Sequence, residues 1–436
     1  MTEVSRARGV SRVDDHGSTA SRRRSLPVIA AALGGLTLIG CGPVAARTAH
    51  PAAPSAPAAQ GANPTTGNGA STPSPTPSAA TTPSPASAPA SPAPLLAVAT
   101  TNPAAVVISL VDLNGATVAS TSLSSSALGG MVAAGPQGAY WIAGGTLHRL
   151  DRSGTVHDFG AIPAGSFTVA PDGDVAYAVS TQVTPQGVMD NQLFLLRDGH
   201  SQLLAERRAD PAHPSADAPD MWGYAPRGWT ANGVVIVRVP YGGCGCGPFG
   251  MDTVNGHSGI VDLQSGVAAS LTNDDSCPLS GIAADGTAAC FHTPAIPSSK
   301  NAGRGADELR VIRGGHVVQS FALSTLNAGG QAVFSADAQQ LAYATVAAGS
   351  DCGGWLSHTQ LHLLDLQRGT ARALAQPGLQ PAAWLADGRL IATRWITAAD
   401  GSLTSQLLVV DPRAATSRVV VGSQPATTTM VGVVSA

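Results

Sequence analysis

Beyond residue 94 the sequence predicts an all-β fold assembled from repeated four-strand units, and three observations carry that expectation. Tight-turn signals recur in two alternating kinds. The first kind is Pro136-Gln137-Gly138, Pro171-Asp172-Gly173, Ala231-Asn232-Gly233, Ala284-Asp285-Gly286, Ala336-Asp337-Ala338 and Ala386-Asp387-Gly388. The second is Asn114-Gly115, Ser153-Gly154, Asp198-Gly199, Ser265-Gly266, Gly314-Gly315, Arg368-Gly369 and Pro412-Arg413. Small polar residues paired with glycine mark hairpins, because glycine accepts the positive φ of a tight two-residue turn. The runs between these turns, such as Val234–Val237 and Leu361–Leu364, are of strand length and often β-branched. No amphipathic helical pattern follows Cys41.

The turns divide roughly 340 residues into seven units of about 48, a spacing typical of propeller blades. A seven-bladed β-propeller is therefore expected over 95–436, with six or eight blades as the neighbouring counts. The first unit offers only three strands: Leu95–Thr100, Val106–Asp112 and Thr117–Leu123. The apolar stretch Thr427–Ser435 is unclaimed, and it is expected to supply the missing inner strand, since closing the ring removes exposed sheet edges.

Phrases such as Phe167-Thr168-Val169-Ala170-Pro171-Asp172-Gly173 and Val333-Phe334-Ser335-Ala336-Asp337 resemble the F-S-P-D-G element of TolB-like and related WD-like propellers. The Gly-His and Trp-Asp signatures of true WD repeats do not occur with them. The resemblance implies the same propeller fold.

The N-terminal part has a different physical character. Residues 1–25 are polar and basic, and Leu26 to Gly40 form an apolar stretch too short for the ~20 residues that span a bilayer. A positive segment followed by a short apolar one is the pattern of an export signal. The ending Leu38-Ile39-Gly40-Cys41 resembles the bacterial lipobox, which implies cleavage before Cys41 and acylation of its sulfur by a palmitate-like chain. Ser21-Arg22-Arg23-Arg24-Ser25-Leu26 resembles a twin-arginine motif, with Ser25 where an apolar residue is usual, so either export route remains open. These features predict a signal peptide over 1–40 and a lipid anchor on the extracytoplasmic side of the cell membrane. From Pro43 to Pro94 the chain is almost wholly Ala, Pro, Ser, Thr and Gly. Such a composition cannot bury enough apolar surface to order itself, so 41–94 is expected to be a disordered linker of up to roughly 160 Å.

The formal charge is −3, and residues 1–40 contribute +3 of it, leaving −6 on the rest. A mildly acidic chain without a basic stripe argues against nucleic acid as a partner. A monomer is expected.

In a propeller the first and third turns of every blade share one face, and the second turn and the blade-to-blade connection share the other. Here the first and third turns are minimal. The long segments, namely Thr181–Asn191, Tyr241–Ser258, Pro294–Asp307, Ala347–Thr359, Thr397–Thr404 and the connection Glu206–Pro226, all fall on the second face. Binding residues concentrate on loops carried by a rigid scaffold. Trp222, Tyr224, Tyr241, Phe249, Trp355 and His358 map to that elaborated side, near Arg207, Arg208 and Asp220. Such aromatics suit a protein or glycan partner; pinning the long loops to the sheet rims would use them equally well.

Five cysteines follow Cys41: Cys244, Cys246, Cys277, Cys290 and Cys352. Export places them in a disulfide-permissive setting. Cys277 with Cys290, and one of Cys244 or Cys246 with Cys352, are the expected bridges. One Cys-x-Cys without a second pair falls short of a structural zinc site, so no metal and no cofactor is expected. Neither G-x-S-x-G nor H-E-x-x-H occurs, and no catalytic residue is assigned. Two functional classes compete beside a binding or scaffolding lipoprotein. One is an extracytoplasmic lyase or hydrolase acting on envelope glycans from the channel mouth, and the other is an accessory to an envelope sensor.

Overall fold

The computed structural model describes residues 92–436 apart from 103, 164, 184–187, 210–221, 241–257, 273–275, 293–305, 324–326, 348–353, 426–427 and 435–436. Cys41, with the expected signal-peptide and linker segments, lies outside the described residues. The described chain forms seven four-stranded antiparallel sheets arranged as a seven-bladed β-propeller. Blade 1 combines β1 (Leu95–Thr101), β2 (Ala105–Asp112) and β3 (Thr117–Ser124) with the last strand, β28 (Thr428–Val434). Blades 2 to 7 follow in order over 128–161, 166–207, 222–272, 279–322, 327–377 and 379–425, each from four consecutive strands.

Closure occurs as the sequence predicts. The strand β28 pairs with β1 antiparallel, from Leu95 opposite Val434 to Thr100 opposite Thr428. It thus becomes the inner strand of blade 1 and covers the edge of β1 that an open ring would expose. Arg152, in the third turn of blade 2, donates hydrogen bonds to the carbonyls of Ala93 (2.7 Å) and Val434 (3.2 Å). The beginning and end of the propeller are therefore clasped by one guanidinium.

The core is organised by seams. Seven apolar clusters are present, one between each pair of neighbouring blades. Leu110, Ile108, Trp141 and Leu150 fill the seam between blades 1 and 2, while Leu96, Val98, Ile391 and Leu407 fill that between blades 7 and 1. Phe291, Tyr343 and Leu364 form another between blades 5 and 6. Polar side chains stitch the same seams to backbone carbonyls, as in Trp384 Nε1 to Val333 (2.9 Å) and Arg418 to Leu113 (2.7 Å).

The inner strands beyond blade 1 are β4 (Leu128–Gly135), β8 (Ser166–Val169), β12 (Trp222–Thr230), β16 (Leu279–Ile282), β20 (Asn327–Phe334) and β24 (Leu379–Trp384). With β28, six of these seven break register against the second strand of their blade, at Val431 of β28, Arg227 of β12, Ser280 of β16 and Ala382 of β24 among others. An inner strand has one edge free towards the axis, so an extra residue costs it only one ladder. At the turns into the second strands, glycine is required by space. A Cβ on Gly138 or Gly233 would lie 2.0 Å from the carbonyl oxygen of Leu150 or Val261, on the third strand of the same blade.

Candidate binding face

The strand ends assign the connecting intervals to the two faces. Every first and third turn that links described strands is short, whereas the intervals 241–257 in blade 4, 293–305 in blade 5 and 348–353 in blade 6 all follow second strands. Two expected long segments are shorter than anticipated. The interval after Thr397 is a tight turn, with Ala398 N donating to Ser402 O and Gly401 N to Ala398 O. The second turn of blade 3 runs only from β9 (Val175–Gln182) to β10 (Met189–Arg197).

Placement of the candidate residues corrects one expectation. Tyr224 and Trp222 are not in a loop. They belong to β12, the inner strand of blade 4, where Trp222 is described in its backbone only and Tyr224 stands opposite Arg238. Tyr224 packs against the cluster of Ala178, Leu193, Val234 and Ile236 in the seam between blades 3 and 4. It is therefore a seam residue at the elaborated end rather than a rim aromatic. Tyr241 and Phe249, like Cys244, Cys246 and Cys352, lie outside the described residues.

The polar crown above that seam is the best-defined part of the face. Asn191 is fully buried on β10, opposite Ser180 of β9 and Arg207 of β11 (His200–Arg207). Its Oδ1 accepts from Ser180 Oγ at 2.7 Å and from the Tyr224 backbone N–H at 3.0 Å. Gly223 precedes this contact, and a Cβ there would meet Ser180 Oγ at 2.8 Å. One amide therefore docks the start of an inner strand onto the preceding blade. Burial raises the Tyr224 phenol above its ordinary pKa, and the guanidinium charges of Arg207 and Arg238 pull it the other way. Two cations thus act on one half-buried phenol at the elaborated end of the seam.

Blade 6 supplies the second described element of the face, a single 3-10 turn over Gly354–His358. Leu356 buries its side chain, Trp355 is half-buried and His358 is exposed. The turn is fixed to blade 7 by the Thr397 hydroxyl donating to Ser357 Oγ at 2.8 Å. Trp355 and His358 therefore stand near one another on this rim, between blades 6 and 7, whereas Tyr224 belongs to the seam between blades 3 and 4.

The channel wall is chemically plain. The seven inner strands contain one charged residue, Arg227, at the bulge of β12. Burial lowers its pKa to about 10, although the residue keeps some exposed surface. Among the described residues no group of three or more His, Cys, Asp or Glu side chains could hold a metal. Cys277 and Cys290 form a disulfide in the seam between blades 4 and 5, with both residues buried. A groove of about 430 Å3 runs beside it, lined by Ser270, Thr272, Arg310 and His316 among others.

No family model matches this chain, and no curated protein matches it. Solved structures do. The periplasmic gluconolactonase PpgL of Pseudomonas aeruginosa is similar at 12% identity and a TM-score of 0.45, over 78% of this chain and 97% of that one. An oligogalacturonate lyase solved with manganese is similar at 12% identity and 0.46, over 71% and 84%. A putative TolB from Agrobacterium tumefaciens is similar at 11% identity and 0.36, over 76% and 92%. At these identities the likeness concerns fold alone.

Proposed function

We propose that this chain is an exported lipoprotein, acylated at Cys41, whose propeller binds or scaffolds a protein or glycan partner at the cell envelope through its elaborated face. The observation that carries this reading is the opposition of two features. Residues 92–94 lead into β1 at the plain face, beside the carboxyl end of β28, and Arg152 holds the Ala93 carbonyl there. The long intervals after the second strands leave from the opposite face. An anchor and linker attached at the plain side would leave the elaborated side free for a partner.

The chemistry of the described channel fits the same reading. General acid–base catalysis needs a titratable group within hydrogen-bond reach of the reacting atoms. The described inner strands offer one guanidinium, the phenol of Tyr224 and otherwise apolar, small or neutral polar side chains, with no carboxylate or imidazole among them.

Membrane fractionation of Cys41→Ala tests the anchor: the variant should leave the membrane fraction, and full retention would overturn that part of the proposal. Crosslinking on intact cells tests the face. Photo-crosslinkers at Trp355 and His358 should capture an envelope protein or glycan, whereas crosslinkers at Asn114 and Ser153, in third turns of the plain face, should not. Equal capture from both faces would remove the basis of the assignment.

A further inference from the structure

Several seams match their buried or half-buried polar side chains at the elaborated end: Asn191 with Ser180, His362 with Thr345 at 2.9 Å, and His148 with Asp158 at 2.5 Å. Single unmatched atoms occur elsewhere, as at Ser258 Oγ and Trp229 Nε1, but Gln380 and Trp395 bring three such atoms to one seam. Gln380, on the inner strand β24, is 1% exposed, and among the described residues neither Nε2 nor Oε1 has a hydrogen-bond partner. The indole N–H of Trp395 is in the same position, on a residue 4% exposed.

Register shows that these groups share one face. Gln380 stands opposite Thr393, which stands opposite Leu407, and Trp395 stands opposite Ser405. Leu407, with Ile391 and Val409, belongs to the cluster between blades 7 and 1. Side chains alternate along a strand, so Gln380, Thr393, Trp395 and Ser405 all face blade 1. Arg394 falls on the other face of the sheet. Across the seam Ser405 Oγ donates to the Thr428 carbonyl at 3.1 Å, and Thr428 Oγ1 donates to Thr100 Oγ1 at 3.0 Å. A buried polar layer, all of it neutral, therefore caps the apolar cluster where the first and last blades meet.

We propose that this seam holds bound internal water, hydrogen-bonded to the Gln380 amide and the Trp395 indole. The chemistry of the unmatched groups selects the ligand class. Nε2 of Gln380 and Nε1 of Trp395 need acceptors, while Oε1 needs a donor. A neutral hydroxyl does both, and a simple cation or anion does only one. The near-complete burial limits the occupant to the size of water, which occupies such polar sites as part of the fold. Leaving all three groups unmatched would retain their full desolvation cost in the folded state.

Nuclear magnetic resonance on the full chain with 15N-labelled tryptophan tests this directly. The Trp395 indole proton should show a cross-relaxation peak to a bound water, and Gln380→Met should abolish or weaken it. Absence of that peak in the parent overturns the proposal. Melting of the near-isosteric Gln380→Met provides an independent reading. If the amide is hydrated, this variant should melt at or below the parent. A rise of more than about 2 °C means that a dry, unmatched group was removed, and overturns the proposal as well.

Discussion

Arg152 of blade 2 donates to the carbonyl of Val434, the last paired residue of the closing strand, at 3.2 Å. The same guanidinium holds Ala93, so the contact joins the two ends of the propeller to a blade that contains neither. Deleting residues 426–436 removes β28 and re-exposes a sheet edge, so the melting temperature should fall by more than about 10 °C, or the fold should be lost. Arg152→Gln should lose only a few degrees, because β28 keeps its ladder with β1. Thermal scans of both variants check the ranking, and an unchanged melting point in the deletion would refute ring closure.

Asn191 is the second test. Asn191→Ala leaves the Tyr224 N–H and the Ser180 hydroxyl without their shared acceptor in a buried position. An unmatched buried donor costs about 1–3 kcal/mol, so a loss of roughly 2–4 kcal/mol is expected by denaturant titration. Asn191→Asp keeps the acceptor but buries a charge, and it should be more damaging at pH 7 than at pH 4.

The Cys277–Cys290 bridge closes a short loop, with a sequence separation of 13. Chain-entropy arguments give about 3 kcal/mol for a loop near that size. Cys277→Ser with Cys290→Ser should lose that much stability. Because both residues are buried, alkylation with reductant under native conditions should leave this pair unlabelled, while reduction in denaturant should expose it. Mass spectrometry distinguishes the two states.

Acid sensitivity should arise from turn aspartates. Hydrogen bonds lower the pKa of Asp151 (from the Ser153 hydroxyl and His157), Asp262 (from the Ser265 backbone and hydroxyl), Asp337 (from Ser335) and Asp387 (from Arg389). A carboxylate depressed on folding contributes stability that is present above its unfolded value, near 3.9, and is lost as pH falls through the folded value. Melting temperature should therefore be flat from pH 7 to about 5 and decline below about 4. Replacing Asp262 and Asp387 by Asn should lower the plateau and flatten the decline.

Much of the ring was legible because hairpin turns have strict chemistry. Glycine pairs marked the third turns, and the apolar end Thr427–Ser435 had no other use than closure. A further signal lay unused in the same turns: Asp112, Asp151, Asp262, Asp365 and Asp411 each close a third strand or follow it directly, and each accepts backbone N–H bonds from the turn. An aspartate three or four residues before the turn glycine, as in Asp112–Gly115, Asp151–Gly154, Asp262–Gly266 and Asp365–Gly369, would have fixed blade register directly.

The inner strands were the illegible part. β12 contains two glycines after Trp222 as well as Pro226, and β4 and β20 carry paired glycines, so propensity alone would assign loops. An inner strand needs only one hydrogen-bonded neighbour, and edge strands tolerate proline and bulges. That is why Tyr224 was expected in a connection and is found in the wall of a seam. The neutral layer around Gln380 was hidden for another reason. Its members are spread from Thr100 to Thr428, and only closure of the ring brings them together.

The clasp at Ala93 also determines how a pull on the chain ahead of β1 would be borne. Tension arriving through residues 92–94 acts along β1, which is flanked by β2 on one side and β28 on the other. Seven residue pairs link β1 to β2 and six link it to β28. Sliding β1 out would load both ladders in shear at once, rather than unzipping them one bond at a time. A force entering at residues 92–94 would therefore meet two ladders resisting together.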